Sequence, residues 1–491
     1  MQPASFFLLP AAQAAALVDD VGGVVKVVAA AEDAGANVYL VGGAVRNLLL
    51  GRPLPSDYDF VTSGSVELLA KAVAVCTSGT AFILDKAAPS YRVTFKAGAQ
   101  SFFLDISPIK GRSAGIAEDL MGRDFTVNAM AVDVRALIKK SECRVIDPCA
   151  GAADAQAGIL RPVSLDVFKS DPLRMLRAIR LAQQYGLKIT EEIIGLIKED
   201  AGLLAPVSAE RIRDELVAIF ACKRTSASIR LMFETGLMSH IVAPMKGWDV
   251  DTGYDILAHT LKTVDEAETL LDNIDEERFG KYYRRIERHF SRAGGGVKRA
   301  VFFKLAAFLH DIGKPSTMTS EDGRLRFYGH DHKGSMMALD ALGRLRFSRR
   351  VCGDISKLVK CHHRVFALAD LHKPTPRAKA HLFRSVGGDT GVDLLCLALA
   401  DARATRGSED LELLRVVQDM LRFYYDIYIK KSPQPVMTGS EVMKAFALAQ
   451  GPLIGEILKK IAKGVETGAV RTKKDAADMV KKLLKDGSLY I

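Results

Sequence analysis

A chain of 491 residues is too long for one ordinary core and implies about three to four domains, while 48% hydrophobic and 26% charged residues exclude a disordered chain. Lysine and arginine exceed aspartate and glutamate by 68 to 58, giving a net charge of +10, an excess compatible with a polyanionic partner but not specific for one. Seven scattered cysteines with no C-x-x-C pair argue against a zinc knuckle and for a reducing, cytoplasmic setting.

The opening "MQPASFFLLPAAQAAALVDD" carries a small apolar patch, but it lacks a basic n-region and Pro10 interrupts it, so no signal peptide is expected. No run reaches the ~18 to 20 apolar residues of a membrane span, so no membrane partner is expected. Between residues 38 and 147, short apolar stretches ("VYLVGG", "AFILD", "YRVTFKA", "SFFLDIS") alternate with turn residues and helical pieces, which predicts a small mixed sheet. Strands are expected to end there.

From 165 to 246 the pattern is helical. "DVFKSDPLRMLRAIRLAQQYG" has apolar residues at spacings of three and four and closes on Gly186, and Ser208 is placed to cap the next helix. The stretch "DEERFGKYYRRIERHFSRAGGGVKRA" (275–300) ends in three glycines and reads as an exposed loop or hinge within a histidine-bearing helical region, 254–403. Next, "SEDLELLRVVQDMLRFYYDIYIKK" predicts one long helix, and "SPQP" (432–435) separates it from a lysine-rich helical tail.

Within "VYLVGGAVRNLLLGRPLPSDYDF" (38–60), Asp57 and Asp59 are two apart on a predicted strand, so both carboxylates face one side while Tyr58 faces the other. Two anions that close repel unless a cation lies between them, and Mg²⁺ ions held in this way serve phosphoryl transfer. Gly42 and Gly43 precede a helix and offer bare backbone N–H groups to a triphosphate, and Arg46 in that helix adds positive charge. Asp105 in "SFFLDIS" is the best candidate for a third carboxylate, ahead of Asp85.

"LVGGAVRNLLLG…SDYDF" resembles the head domain of the class II tRNA nucleotidyltransferase and bacterial poly(A) polymerase family, of the DNA polymerase β-like superfamily. "GRDFTVNAMAVD" (122–133), "SDPLRMLRAIRLA" (170–182) and "SAERIRDEL" (208–216) extend the resemblance in family order. It implies that Asp57 and Asp59 bind the catalytic Mg²⁺ ions and that Arg123, Asp124 and Asn128 contact ribose and phosphate. The sequence departs from the family at Asn47 (usually aspartate), Gly122 (usually arginine) and Ser170 (commonly glutamate).

Asp171 and Arg174 are three apart, so on a helix they share a face. A carboxylate accepts from the amino group of cytosine or adenine while a guanidinium donates to the neighbouring ring nitrogen; uracil and guanine present the reverse order. The resemblance gives these two residues the role of a protein template selecting CTP and ATP, with Arg177 and Arg180 on the same helix as further nucleotide-binding candidates.

"AAFLHDIGKP" sets His310 beside Asp311, with His259, His330, His332, His362 and His363 flanking it in sequence. Imidazole and carboxylate together suit a divalent or transition metal whose identity the residue types leave open. His259, His310, Asp311 and Asp401 match the H…HD…D pattern of the HD phosphohydrolases, and His330 with His362 or His363 would extend it to a second metal. In related nucleotidyltransferases such a domain implies phosphatase or 2′,3′-cyclic phosphodiesterase activity. The tail, with Gly451, Pro452 and Gly455 in a G-P-x-x-G turn, resembles the part of the family that holds the tRNA elbow.

The expected architecture is therefore α+β: a nucleotidyltransferase head with a small mixed sheet (1–150), a helical nucleotide-selecting neck and body (151–250), an HD domain (251–410) and a helical tRNA-binding tail (411–491). The expected activity is template-independent addition or repair of the tRNA 3′-terminal CCA from CTP and ATP. Poly(A) synthesis, addition of only C or only A, and a tRNA-binding phosphohydrolase are the alternatives.

Overall fold

The computed structural model describes residues 5–8, 27–28, 30–31, 36–54, 56–85, 89–98, 100–110, 115–138, 144–248, 255–294, 297–322, 324–371, 373–431, 436–466, 469–470 and 472–485. The chain packs as two compact units. One comprises Met1–Asn273, His289–His362 and Ala400–Ser408; the other comprises Ile274–Arg288, His363–Leu399 and Glu409–Ile491.

The first unit contains a mixed sheet of eight strands among the described residues: β1 (Ser5–Leu8), β2 (Val38–Val41), β3 (Asp57–Thr62), β4 (Thr80–Asp85), β5 (Ser90–Ala97), β6 (Gln100–Pro108), β7 (Ala131–Asp133) and β8 (Arg144–Asp147), in the order β1-β8-β7-β2-β3-β6-β5-β4. Only β3 and β6 pair in parallel. The "SFFL" patch is thus the edge strand β1, antiparallel to β8. The rest of that N-terminal stretch lies outside the described residues.

The first four residues of β3 alternate: Asp57 and Asp59 are exposed, Tyr58 and Phe60 buried. Phe60, Leu40 and Leu104 are fully buried and join the core under α1 (Gly43–Leu49) and α2 (Val66–Thr77). The hydroxyl of Ser65 caps α2 by accepting from the Leu68 N–H at 3.3 Å. Burial on one face fixes the register, because a one-residue slip would carry Phe60 to solvent and both carboxylates into the core.

After the short α3 (Ile116–Met121), the chain becomes helical in α4 (Arg174–Tyr185), α5 (Ala209–Ala221), α6 (Ile256–Asp272), α7 (Arg299–Leu309), α8 (His330–Arg344) and α9 (Arg349–Cys361). Gly186 ends α4 in the left-handed conformation, as the sequence predicts. Strands do not end at 147, however: three two-stranded ribbons follow, including the parallel pair Ile159–Leu160 and Lys188–Ile189. Two-residue strands of this kind are set by tertiary proximity, and no local period announces them.

The second unit is helical. The stretch read as a hinge is mostly ordered helix there: Glu276–Phe279 leads into Tyr283–Ser291, with Phe279, Tyr282 and Ile286 buried. Its arginines masked an apolar stripe spaced by three and four. The helices α10 (Arg364–Ala369) and α11 (Pro376–Val386) follow, then α12 (Leu411–Phe423), which runs on through a π-helical turn, Tyr424–Tyr428, to Ile429–Lys431. The long helix read from sequence is therefore present, and "SPQP" lies outside the described residues. The tail is three helices packed on Val442, Ile457, Ile461 and Val480, with Pro452 opening the second.

Candidate active site and metal cluster

Asp59 and Asp105 are direct partners in the parallel β3–β6 ladder, so Asp105 stands beside the Asp57/Asp59 pair. Asp85 belongs to β4, two strands further out. Burial raises the Asp57 and Asp59 carboxyls above their ordinary value; Arg92 (for Asp57) and Arg123 (for Asp59) oppose the rise, and Asp105 adds to it. Asp59 keeps contact with solvent, although the protein around it still desolvates the carboxyl. Crowded carboxylates of this kind are the donor set a hard divalent cation needs. Asp105 is held by Arg92 through a two-pronged pair, Nε–Oδ1 and Nη2–Oδ2 both at 2.6 Å. Arg92 was not singled out in the sequence, since nothing local marks one strand arginine among many.

Gly42 takes φ 70°, and a Cβ there would lie 3.3 Å from Asp59 Oδ2 and 3.4 Å from Arg123 Nη1. The backbone can come this close to the carboxylate only without a side chain. The Gly42 N–H, expected to be free, donates to Met130 O at 3.4 Å. The amides of Gly43, Ala44 and Val45 precede the first intrahelical bond, Arg46 N–H to Gly42 O at 3.1 Å, and remain for a phosphate.

Several arginines expected at the nucleotide are engaged with protein partners. Arg46 is buried, stacks 3.8 Å over the Tyr185 ring, and donates to Asn128 Oδ1 and, at 3.2 Å, to Asn47 Oδ1. Asn128 Nδ2 donates to Asp124 Oδ1 at 3.0 Å, and Asp124 Oδ2 pairs with Arg177 Nε at 2.6 Å. Burial alone would raise the Asp124 carboxyl, but Arg177 and the hydrogen bonds of Asn128 and Phe125 N–H hold it below its ordinary value. Asp124 and Asn128 are thus buried links between α1 and α4, and their polar atoms are taken up by protein. Arg180 is likewise committed, to Glu215 on α5 at 2.6 Å.

Asp171 and Arg174 do not share a helical face. Asp171 is extended (φ −153°, ψ 100°) and Arg174 is the first residue of α4. Pro172 explains the break, since the residue before a proline is driven from the helical region. Both side chains are nevertheless half-exposed at the head of α4. Arg174 Nη1 donates to Ser170 Oγ (3.1 Å) and Nη2 to Gly122 O (3.3 Å), while Asp171 Oδ2 pairs with Arg211 of α5 at 2.8 Å. Two of the family departures, Gly122 and Ser170, therefore meet at Arg174. With Arg123, Lys110 and Asp119 it lines a cavity of about 600 Å³, large enough for a nucleotide.

The histidine cluster is assembled from three helices and the turns that follow two others. His259 (α6), His310 and Asp311 (after α7), His330 (α8), His362 (after α9) and Asp401 (helix Gly388–Arg406) converge. Around Asp311 Oδ2 lie His310 Nε2 at 3.1 Å and His259 Nε2 at 3.3 Å; around Oδ1 lie His330 and His362 Nε2, both at 3.5 Å. Asp401 Oδ1 is 3.2 Å from His259 Nε2. Neither oxygen of the buried Asp311 receives a well-directed hydrogen bond, although Lys314 Nζ lies 2.6 Å from Oδ2.

His310, His330 and His362 each face a backbone carbonyl through Nδ1, at 2.8, 2.7 and 2.7 Å. A carbonyl only accepts, so Nδ1 carries the proton and Nε2 presents its lone pair to the cluster, the arrangement that orients metal ligands. The residues therefore fit one divalent cation among His259, His310, Asp311 and Asp401, and a second between Asp311, His330 and His362. Of the pair left open by the sequence, His362 is buried beside Asp311, while His363 and His332 are exposed.

Gly313 makes this convergence possible. A Cβ there would lie 2.1 Å from His330 O and 2.7 Å from the Gly334 N–H nitrogen, so α8 packs directly on the backbone that follows Asp311.

Family comparisons match the "Poly A polymerase head domain" over residues 38–161, the "Probable RNA and SrmB- binding site of polymerase A" over 186–245 and the "HD domain" over 256–406. The A-adding tRNA nucleotidyltransferase of Deinococcus radiodurans is 29% identical, over 90% of this chain and 94% of the relative. The CC-adding enzyme of Thermus thermophilus is also 29% identical, over 90% and 92%. The multifunctional CCA protein of Neisseria gonorrhoeae is 32% identical, over 67% and 74%. In fold the chain resembles a CCA-adding enzyme solved with CTP (TM-score 0.61, 22% identity, 98% and 99% covered) and the Thermotoga maritima CCA-adding enzyme solved with tRNA (TM-score 0.55, 22% identity, 98% and 99% covered). Head, RNA-binding region and HD domain thus occur in family order, and this chain belongs to the tRNA nucleotidyltransferase and poly(A) polymerase family of enzymes.

Proposed function

We propose that this chain builds or repairs the 3′-terminal CCA of tRNA from CTP and ATP without a nucleic-acid template, releasing pyrophosphate. The observation that carries the reading is the exposed Asp57/Asp59 pair with Asp105 as ladder partner and the bare backbone of Gly42 against Asp59. Asp57 and Asp59 would hold Mg²⁺, which when bound acidifies the RNA 3′-hydroxyl and offsets charge on the α-phosphate and the leaving pyrophosphate. Arg123 and the first-turn amides of α1 bind and orient the triphosphate. Arg174 and Asp171 read the Watson–Crick edge; a wrong base leaves polar groups unpaired at ~1 to 3 kcal/mol each.

This reading keeps the head, neck, HD and tail divisions at about 150, 250 and 410, and a cytoplasmic site accords with the scattered free cysteines. Among the described residues no helix is long and apolar enough to cross a membrane.

The test is incubation with Mg²⁺, tRNA truncated before CCA, and each nucleoside triphosphate. Addition that stops after CCA is expected; long A tails or no addition overturn the proposal. A second reading, addition of only CC or only A, is favoured by the specialised names of two relatives matched over 90% of this chain, and the same assay distinguishes it.

The HD cluster supports a metal-dependent phosphohydrolase acting on phosphate monoesters or 2′,3′-cyclic phosphates. Its metal is a divalent cation suited to imidazole and carboxylate. His310→Ala should abolish phosphate release while leaving nucleotide addition intact; phosphate release at the parent rate would refute the assignment.

A further inference from the structure

Within the second unit, α10 and α11 enclose a groove of about 610 Å³ that the transferase and hydrolase readings leave unused. Its floor is apolar: Ala367, Leu368 and Leu371 from the α10 side, Ala378 and Leu382 from α11. Leu371 is 60% exposed, unusual for a leucine at the rim of a basic groove. The walls are cationic. Arg377, His381 and Arg384 lie at i, i+4 and i+7 on α11 and so form one stripe, and Arg364 faces them from α10. No carboxylate lines the groove.

The state of these charges is the second observation. Among the described residues none of the three guanidiniums pairs with an acid; Arg384 donates only to Ala380 O of its own helix, at 3.4 Å. Lys379, on another face of α11, is by contrast tied to Asp419. The helix thus neutralises its inward charge and leaves its groove-facing charges for something else. Guanidinium forks match phosphate oxygens geometrically, and an apolar floor between them accepts a ribose or an unstacked base.

We propose that this groove binds the sugar–phosphate backbone of the RNA substrate, with Arg364, Arg377 and Arg384 on successive phosphates. The proposal rests on the reading of tRNA as substrate and adds a contact surface remote in sequence from the head and the tail. Contacts of this kind set register and affinity and carry no base sequence.

The test is filter binding of the full chain to tRNA lacking CCA, across a KCl series, for the parent, the triple variant R364Q/R377Q/R384Q and its charge-preserving counterpart R364K/R377K/R384K. Each phosphate contact contributes about 0.7 to 0.9 to the slope of log K against log salt. The glutamine variant should lose about 2 from that slope and bind about fivefold more weakly per contact near 0.1 M KCl, while the lysine variant keeps most of both. Equal slopes and affinities within twofold overturn the proposal, as does a lysine variant as impaired as the glutamine one. A glutamine variant that loses binding to polyglutamate but not to tRNA also overturns it, assigning the groove to an acidic protein segment. Nucleotide addition by the parent is measured alongside: addition with unchanged slopes removes the groove alone, and groove-dependent binding without addition removes the functional reading alone.

Discussion

Asp59 on β3 and Asp105 on β6 face each other in parallel register, and Asp57 projects from the same face two residues earlier. Three carboxylates on one sheet face destabilise one another unless a cation joins them. Asp59→Asn should therefore reduce nucleotide incorporation at least about 10³-fold, since a metal-stabilised charge is lost, with little change in unfolding midpoint because the group faces the cleft. Incorporation of labelled CMP and AMP measures the first, urea unfolding the second; activity within tenfold of the parent would contradict the metal role.

The exposed Arg177 and the buried Asp124 form one end of the chain that leads through Asn128 to Arg46 and Tyr185. Arg177→Ala removes the cation beside the buried Asp124 carboxylate, but solvent reaches the pair from the arginine side, so the loss in unfolding free energy should be about 1 to 2 kcal/mol, below that of a fully buried pair. Adding Asp124→Asn should recover part of that loss, because the uncompensated charge disappears. A double variant no more stable than Arg177→Ala would show that the loss comes from packing.

The pH dependence of the metal-free protein has a definite sign at His259. Burial works against its charged form, but the carboxylates of Asp311 and Asp401, 3.3 and 3.2 Å from its Nε2, prevail and hold the imidazole at about 9, above its ordinary 6.5. The folded chain thus binds this proton more tightly than the unfolded one. The stabilisation is full below pH 6.5 and is lost as pH rises through about 9, a change on the order of 3 kcal/mol. Chelator-treated protein should show that decline in thermal unfolding, and saturating Mn²⁺ should remove it by replacing the proton. A flat profile without metal would sink the assignment.

Gly313 has no room for a methyl group, with the His330 carbonyl and the backbone of Gly334 against it. Gly313→Ala should push α8 away, destabilise the fold by about 1 to 3 kcal/mol and weaken Mn²⁺ binding, since His330 rides on that helix. Titration calorimetry at unchanged affinity would indicate that the helices yield elsewhere.

Arg174→Ala should lower discrimination of CTP and ATP over UTP and GTP by about ten- to a hundredfold and leave Mg²⁺ dependence unchanged. Competition assays with paired nucleotides read this ratio. Undiminished selectivity would place base choice elsewhere.

Much of the site was legible in local pattern. The period of two on β3 placed Asp57 and Asp59 together, and the His-Asp pair after an apolar helix announced a ligand cluster. What local pattern could not show were protein partners distant in the chain. Arg46 appeared free for phosphate until Tyr185 and Asn128 came beside it, and Arg180 until Glu215 did. Arg92 gained its meaning only when β5 paired with β6.

The sequence by itself determined which residue types were available, which face of each strand or helix they occupy, and the kind of chemistry they support, because periodicity and backbone preference act over a few residues. Tertiary packing alone decided which of those charged groups remain free, that His362 is buried beside Asp311, and that this one buried carboxylate is shared among four imidazoles. The reason is physical: a side chain's charge is spent on whichever opposite charge lies within a few ångströms, and that distance is set by how elements far apart in the chain pack.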